Sequence, residues 1–196
     1  MSDIFANLDV LITDILNGLG LYGPLLGSIL ILVESMVPVL PLSVFITLNF
    51  YAFGTVFGFF ISYILTVIGC NLAYYISKRV FSNRMEYLFK RHDKNKIINL
   101  LEKFPNMSLS NLSVLMAFPF TPAFMINILS GVSKTDYTKF LLASIIGKPF
   151  MVFFWGYIGV TLIESLTHPL YLVEIMLIMA SAYIISKIIS KKFNLE

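Results

Sequence analysis

Glu34-Ser35-Met36-Val37-Pro38-Val39-Leu40-Pro41 interrupts an apolar run that extends from Leu25 to Phe53. A second proline pair at the same spacing, Pro119-Phe120-Thr121-Pro122, interrupts another from Leu112 to Gly131. Proline removes a backbone donor and breaks a helix, and in lipid every peptide group needs an internal partner. A proline-broken backbone at membrane depth therefore persists only where protein or a water-filled cavity covers it. Paired breaks in corresponding halves of a chain point to a substrate site near the bilayer midplane.

Composition assigns the class independently. The chain has 196 residues, 58% hydrophobic and 13% charged, with a mean hydropathy of +0.85, whereas soluble domains carry about 25% charged residues. This is the composition of an integral membrane protein, and nothing in it points to nucleic acid. The first residues carry Asp3, Asp9 and Asp14 and no Lys or Arg, the reverse of a basic leader, so no cleavable signal peptide is expected. The single cysteine, Cys70, lies in an apolar run. It excludes a disulfide framework and a zinc spacing and reads as a packing residue.

Outward from the first break, the pattern is that of one all-α polytopic membrane domain spanning 1–196. Ile4, Phe5, Leu8, Leu11, Ile12, Ile15, Leu16 and Leu19 recur at helical spacing opposite a polar face, which predicts an amphipathic helix lying in the interface. Leu25 to Phe53 then reads as helix, break, helix, a re-entrant hairpin. Thr55 to Ser77 is long enough to cross a hydrocarbon core of about 30 Å, and Gly54, Gly58 and Gly69 are expected to allow close helix contacts on it. A basic stretch follows from Lys78 to Lys103, in which Met85, Leu88, Phe89, Ile97, Ile98, Leu101 and Phe104 predict a second interfacial helix; a solvated loop is the plainer alternative. The order then repeats: a broken hairpin over Leu112 to Gly131 and a crossing helix over Tyr137 to Leu162. Repeat one covers about 1–80 and repeat two about 84–163. With one span between the hairpins, they enter from opposite faces, which makes an inverted repeat. A further transmembrane helix over about 169–189 gives about three full spans.

Lys78 is the first basic residue, and Lys187, Lys191 and Lys192 follow the last span. The positive-inside bias then places the 78–103 loop and the C-terminus in the cytoplasm and the N-terminus outside a cell inner (plasma) membrane.

Glu34-x-x-x-Pro38-x-x-Pro41, with Gly54, Gly58, Gly69, Tyr74, Tyr75 and Lys78-Arg79, resembles the first half of the DedA proteins, also called the VTT-domain or SNARE-associated Golgi protein family. Pro119-x-x-Pro122-x-x-x-x-Asn127-x-x-x-Gly131, with Phe140, Gly147-Lys148-Pro149 and Tyr157-Ile158-Gly159, is similar to the second half, nearest the shorter, VTT-like branch. The resemblance implies two facing re-entrant elements and the movement or scrambling of lipids. Bacterial members are associated with recycling undecaprenyl phosphate or translocating phospholipid, some as proton-dependent transporters. Two positions depart from the family: Met116 stands where an arginine is frequent, and Asn49 where some members have a second carboxylate.

The residue chemistry converges on the same region. Glu34 is an intramembrane carboxylate, costly and by default functional; its protonation offers a gate or a coupling to the proton gradient, the alternative being a neutral acid that satisfies carbonyls freed by Pro38. Lys148, in mid-span, is expected to hold a lipid phosphate in place of the missing arginine, or to pair with Glu34. Ser35, Ser43, Thr121 and Asn127 add hydroxyl and amide groups beside Pro38, Pro41, Pro119 and Pro122, with local backbone satisfaction as the plainer role. Glu164, His168 and Glu174 lack metal-ligand spacing and read as solvated interfacial charges. No Ser-His-Asp order and no His-Glu zinc motif appears, so a non-enzymatic transporter without a cofactor is expected. Its partners would be membrane lipids, polyprenyl phosphate or phospholipid, with association into a homo-oligomer left open. A proton-coupled small-ion carrier and a non-transporting scaffold are the competing readings.

Overall fold

A computed structural model describes residues 22–34, 42–81, 101–165 and 168–193, and all regular elements among them are helical. The predicted helix over the first 20 residues, most of the basic loop, and Ser35, Pro38 and Pro41 lie outside the described residues. Helix α1 (Tyr22–Glu34) ends where the first proline break begins. Helix α2 (Leu42–Ile76) is continued by a π-helical turn over Ser77–Phe81. After helical residues 101–106 come α3 (Leu109–Ala117), α4 (Ala123–Val132), α5 (Tyr137–Glu164) and α6 (Leu170–Phe193).

Gly54 is where the architecture departs from a simple reading. The sequence suggests it as a packing residue on the crossing helix; instead it is a hinge, with φ 74° and ψ 167°. That combination is open essentially to glycine alone. The chain reverses there, so arms 42–53 and 55–76 of α2 lie side by side. Asn49 Nδ2 donates to Ser62 Oγ at 3.1 Å across the reversal, and a Cβ on Gly58 would strike the Asn49 carbonyl and Phe50 Cα. The second half solves the same problem with a four-residue turn, 133–136, in which Lys134 has φ 56°. Its backbone closes through Lys134 N–H to Gly131 O at 3.2 Å and Thr135 N–H to Ser130 O at 3.0 Å.

One order of elements thus occurs twice. A short helix, a proline pair in the sequence after it, a short second arm, a turn with a positive-φ residue and a long crossing helix belong to α1 and the arms of α2, and again to α3, α4 and α5. Length decides which pieces cross. At 1.5 Å per residue the ten residues of α4 rise about 15 Å, half of a hydrocarbon core of about 30 Å, and arm 42–53 about 18 Å. Among the described residues three stretches are long and apolar enough to span, Leu42–Val80, Tyr137–Glu164 and Leu170–Ile188; in the first, the crossing part follows Gly54. The molecule is an all-α polytopic membrane protein.

Helix ends are satisfied locally. Ser108 accepts from Asn111 N–H at 3.3 Å to cap α3, and Asp136 accepts from Lys139 N–H at 2.8 Å to cap α5, contacts worth about 1 kcal/mol each. Between the halves, α5 is the shared element. It contributes Phe140 and Ala143 to a core with Cys70, Tyr74, Leu115 and Ile126, and Met151 and Val152 to a second with Ile31, Phe45, Ile46 and Phe50. Its glycines permit this: Gly147 lies on Ser113 and Met116 of α3, Gly156 on the Phe50 ring, and Gly159 on Thr47. Cys70 is fully buried in the first core, as a packing residue should be.

Candidate functional site

Residues that flank the first proline pair meet the second pair. Glu34 ends α1, Ser43 sits in the first turn of α2, and Pro119, Thr121 and Pro122 form the turn between α3 and α4, where Thr121 N–H bonds Phe118 O at 3.4 Å. These five residues line one cavity of about 270 Å³, closed on the α5 side by Met151 and Trp155. Of the remaining predicted residues, Asn127 and Lys148 are buried in the same half of the fold, at 0% and 1% exposure, without appearing in the wall of this cavity.

The polar groups here are under-satisfied. Glu34 Oε2 and Thr121 Oγ1 are both buried and, among the described residues, have no hydrogen-bond partner. Ser43 is engaged through its backbone, its carbonyl accepting from Thr47 Oγ1 at 2.7 Å. Lys148 is held on the middle of α5 one turn before Met151, and its Nζ donates to the Met151 sulfur at 3.7 Å. A thioether is a weak acceptor, and an ammonium carries three donors. Among the described residues no direct salt bridge joins Lys148 to Glu34. The arrangement is a buried lysine bonded to Met151 at the edge of a cavity that holds an acid and an unpaired hydroxyl, with capacity left for a further polar partner.

The family departures acquire places. Met116 is buried at 2% exposure, and its Cβ lies against Gly147, the residue before Lys148. The lysine of α5 therefore stands beside the position where the resemblance expects arginine. Asn49 is fully buried, donating to Ser62 and accepting from Ser28 Oγ at 3.4 Å. A related link in the crossing helices, Asn71 Nδ2 to Ser144 Oγ at 3.4 Å, escaped sequence reading; asparagines inside apolar runs were the available signal. At the other end of α5, Tyr157 Oη donates to Glu174 Oε1 and His168 packs edge-on against Tyr171. Among the described residues no group of three His, Cys, Asp or Glu is placed to hold a metal ion.

Helices long and apolar enough to cross a membrane, packed around a cavity lined by residues that flank both proline pairs, define an all-α polytopic membrane protein. The chain belongs to the VTT-domain (DedA) family: the VTT domain matches residues 40–161. It is 27% identical to the uncharacterized membrane protein YhjE of Bacillus subtilis over 186 residues, 94% of this chain and 88% of that one. It is 25% identical to the uncharacterized protein YqeD of the same organism over 136 residues, 69% of this chain and 64% of that one. No solved structure matches it.

Proposed function

We propose that this protein is a membrane lipid transporter, a flippase or scramblase, that passes an anionic lipid head group through the pocket between the two breaks while the hydrocarbon tail stays in the bilayer. Undecaprenyl phosphate is the leading substrate and a glycerophospholipid the second. One observation carries the reading: among the described residues the buried Lys148 has its one hydrogen bond to the sulfur of Met151, and Met151 lines the cavity that also holds Glu34 and Thr121 with their unpaired oxygens. A buried cation is stable when an anion and further hydrogen bonds complete it, and a phosphate oxygen supplies both. Phe120, Phe124 and Trp155 in the same wall favour an amphiphile over a small hydrated ion.

Glu34 is the residue through which transport is coupled to protons. When neutral it donates a hydrogen bond to the phosphate; when ionised it competes with the phosphate for Lys148. In this reading the protein resides in the cell inner membrane, with Lys78 and the C-terminal lysines on the cytoplasmic side. The deciding experiment reconstitutes purified protein in liposomes and measures head-group translocation of undecaprenyl phosphate and of a phospholipid side by side. No acceleration of either over empty liposomes rejects the proposal.

A further inference from the structure

The pocket has a polar end and an aromatic end, and the aromatic end leads out of the protein. Phe120, in the second break, is the pivot. Its ring lies edge-on to Phe154 at 6.1 Å, Trp155 at 5.9 Å and Tyr183 at 6.0 Å between centroids. Phe120 and Trp155 face the cavity that holds Glu34, while Tyr183 belongs to α6 and is 56% exposed. Three rings from α3–α4, α5 and α6 therefore stand in a row from the pocket to the outer surface.

Helix α6 is the least secured of the crossing helices: 11% of its apolar window is buried, against 44% for α5. Among the described residues Tyr183 makes its one ring contact with the pocket wall. An isolated edge-to-face pair is a weak contact, small enough to open thermally. Hydrocarbon on the far side of α6 loses nothing by moving in, since lipid tails and apolar side chains are alike as surroundings.

We infer that the contact between Phe120 and Tyr183 is a closed lateral portal and that, when it opens, the groove formed over Phe154 and Trp155 holds the first part of the lipid's hydrocarbon tail while the head group occupies the Glu34 pocket. The inference rests on the lipid-transport reading above and adds to it the tail site and the route of entry. The ring contacts select this occupant: Phe120 lines the cavity with Glu34 and touches Tyr183 of α6, so a head group seated at Glu34 has aromatic surface beside it along which its tail runs to the bilayer. Trp155 and Phe120 are then specificity-determining residues for the tail, and Tyr183 is a gating residue.

Trp155 is the sole tryptophan, so its fluorescence reports this groove alone. In liposomes containing a minor fraction of phosphatidic acid with brominated acyl chains, a tail in the groove quenches it. Phe120→Cys and Tyr183→Cys, introduced together with Cys70→Ala and joined by a short bis-methanethiosulfonate linker, are expected to lose most of that quenching, and reduction is expected to restore it. Tyr183→Ala, which needs no linker, is expected to quench more than the parent. Quenching that is the same linked and unlinked, or unaltered in Tyr183→Ala, overturns the portal. Quenching that responds to the linker but is equal for brominated phosphatidic acid and brominated phosphatidylcholine leaves the portal standing and removes the anionic head group from the proposed function.

Discussion

Tyr63 Oη donates to the carbonyl of Ile145 at 3.1 Å, and the identity of that acceptor explains the bond. In an unbroken helix the Ile145 carbonyl would take the N–H of residue 149, but residue 149 is proline, inside α5. A hydroxyl from the crossing arm of α2 thus replaces a lost backbone donor. The site is next to Lys148, so the bond ties the first repeat to the segment that carries the buried cation.

Tyr63→Phe should therefore lower unfolding stability by about 1–3 kcal/mol, the cost of a backbone acceptor left unmade where lipid rather than water surrounds it. Pro149→Ala returns an N–H to Ile145, and in that background Tyr63→Phe should be nearly silent. Thermal unfolding of the four proteins in detergent gives the coupling. Equal losses in both backgrounds would show that Tyr63 stabilises through packing alone.

The hinge at Gly54 gives a backbone prediction. With φ 74° and ψ 167°, any side chain meets strain of about 1–3 kcal/mol, although a Cβ there has open space around it. Gly54→Ala should lower the melting temperature through backbone strain only. Gly58→Val should do so more severely, because its Cβ collides with the opposing arm. If Gly54→Ala melts like the parent, the two arms of α2 do not reverse at that residue.

Much of this was legible in the residues, for identifiable reasons. Proline pairs in apolar runs have one meaning in lipid, and the crossing helices begin and end close to where hydropathy puts them: Tyr137–Glu164 was anticipated as Tyr137 to Leu162. Glu34, Ser43 and Thr121 share a cavity because each flanks a break. Gly54 was not legible as a hinge, since a glycine in an apolar run serves equally for close packing or for a left-handed backbone. Only the return of Asn49 to Ser62 selects between them. Lys148 was readable as buried and mid-span but not as a neighbour of Met151; residues three apart share a helix face, yet a sulfur partner for an ammonium is a poor prior. The role of α5 in both cores depends on Gly147, Gly156 and Gly159 meeting residues far off in sequence, and no local pattern carries that.

Orientation is testable through the distribution of Lys and Arg. In a Cys70→Ala background, single cysteines replacing Asn7, Asn95 and Asn194 are treated in whole cells with an impermeant thiol reagent. Asn7→Cys should label directly, Asn95→Cys and Asn194→Cys only after permeabilisation. Labelling of Asn95→Cys in intact cells would reverse the assigned sides.

Glu34 and Lys148 separate mechanism from scaffold. If Glu34 gates by protonation, Glu34→Gln imitates the neutral acid, so the variant should transport at the parent's acid-side rate at every pH and still bind lipid phosphate. Lys148→Met should weaken phosphate binding itself. A purely structural pair behaves otherwise: each single change strands a buried charge and costs about 3–5 kcal/mol, and the double change restores both stability and activity. The absence of a direct salt bridge among the described residues argues for the first pattern, because the pair then does not hold the fold together through contact, and the 3.7 Å bond to the Met151 sulfur leaves Lys148 donors free for a phosphate. Transport rate against pH, lipid affinity and melting temperature, measured on the two single variants and the double, decide the matter. Full activity in the double variant would take both residues out of the site.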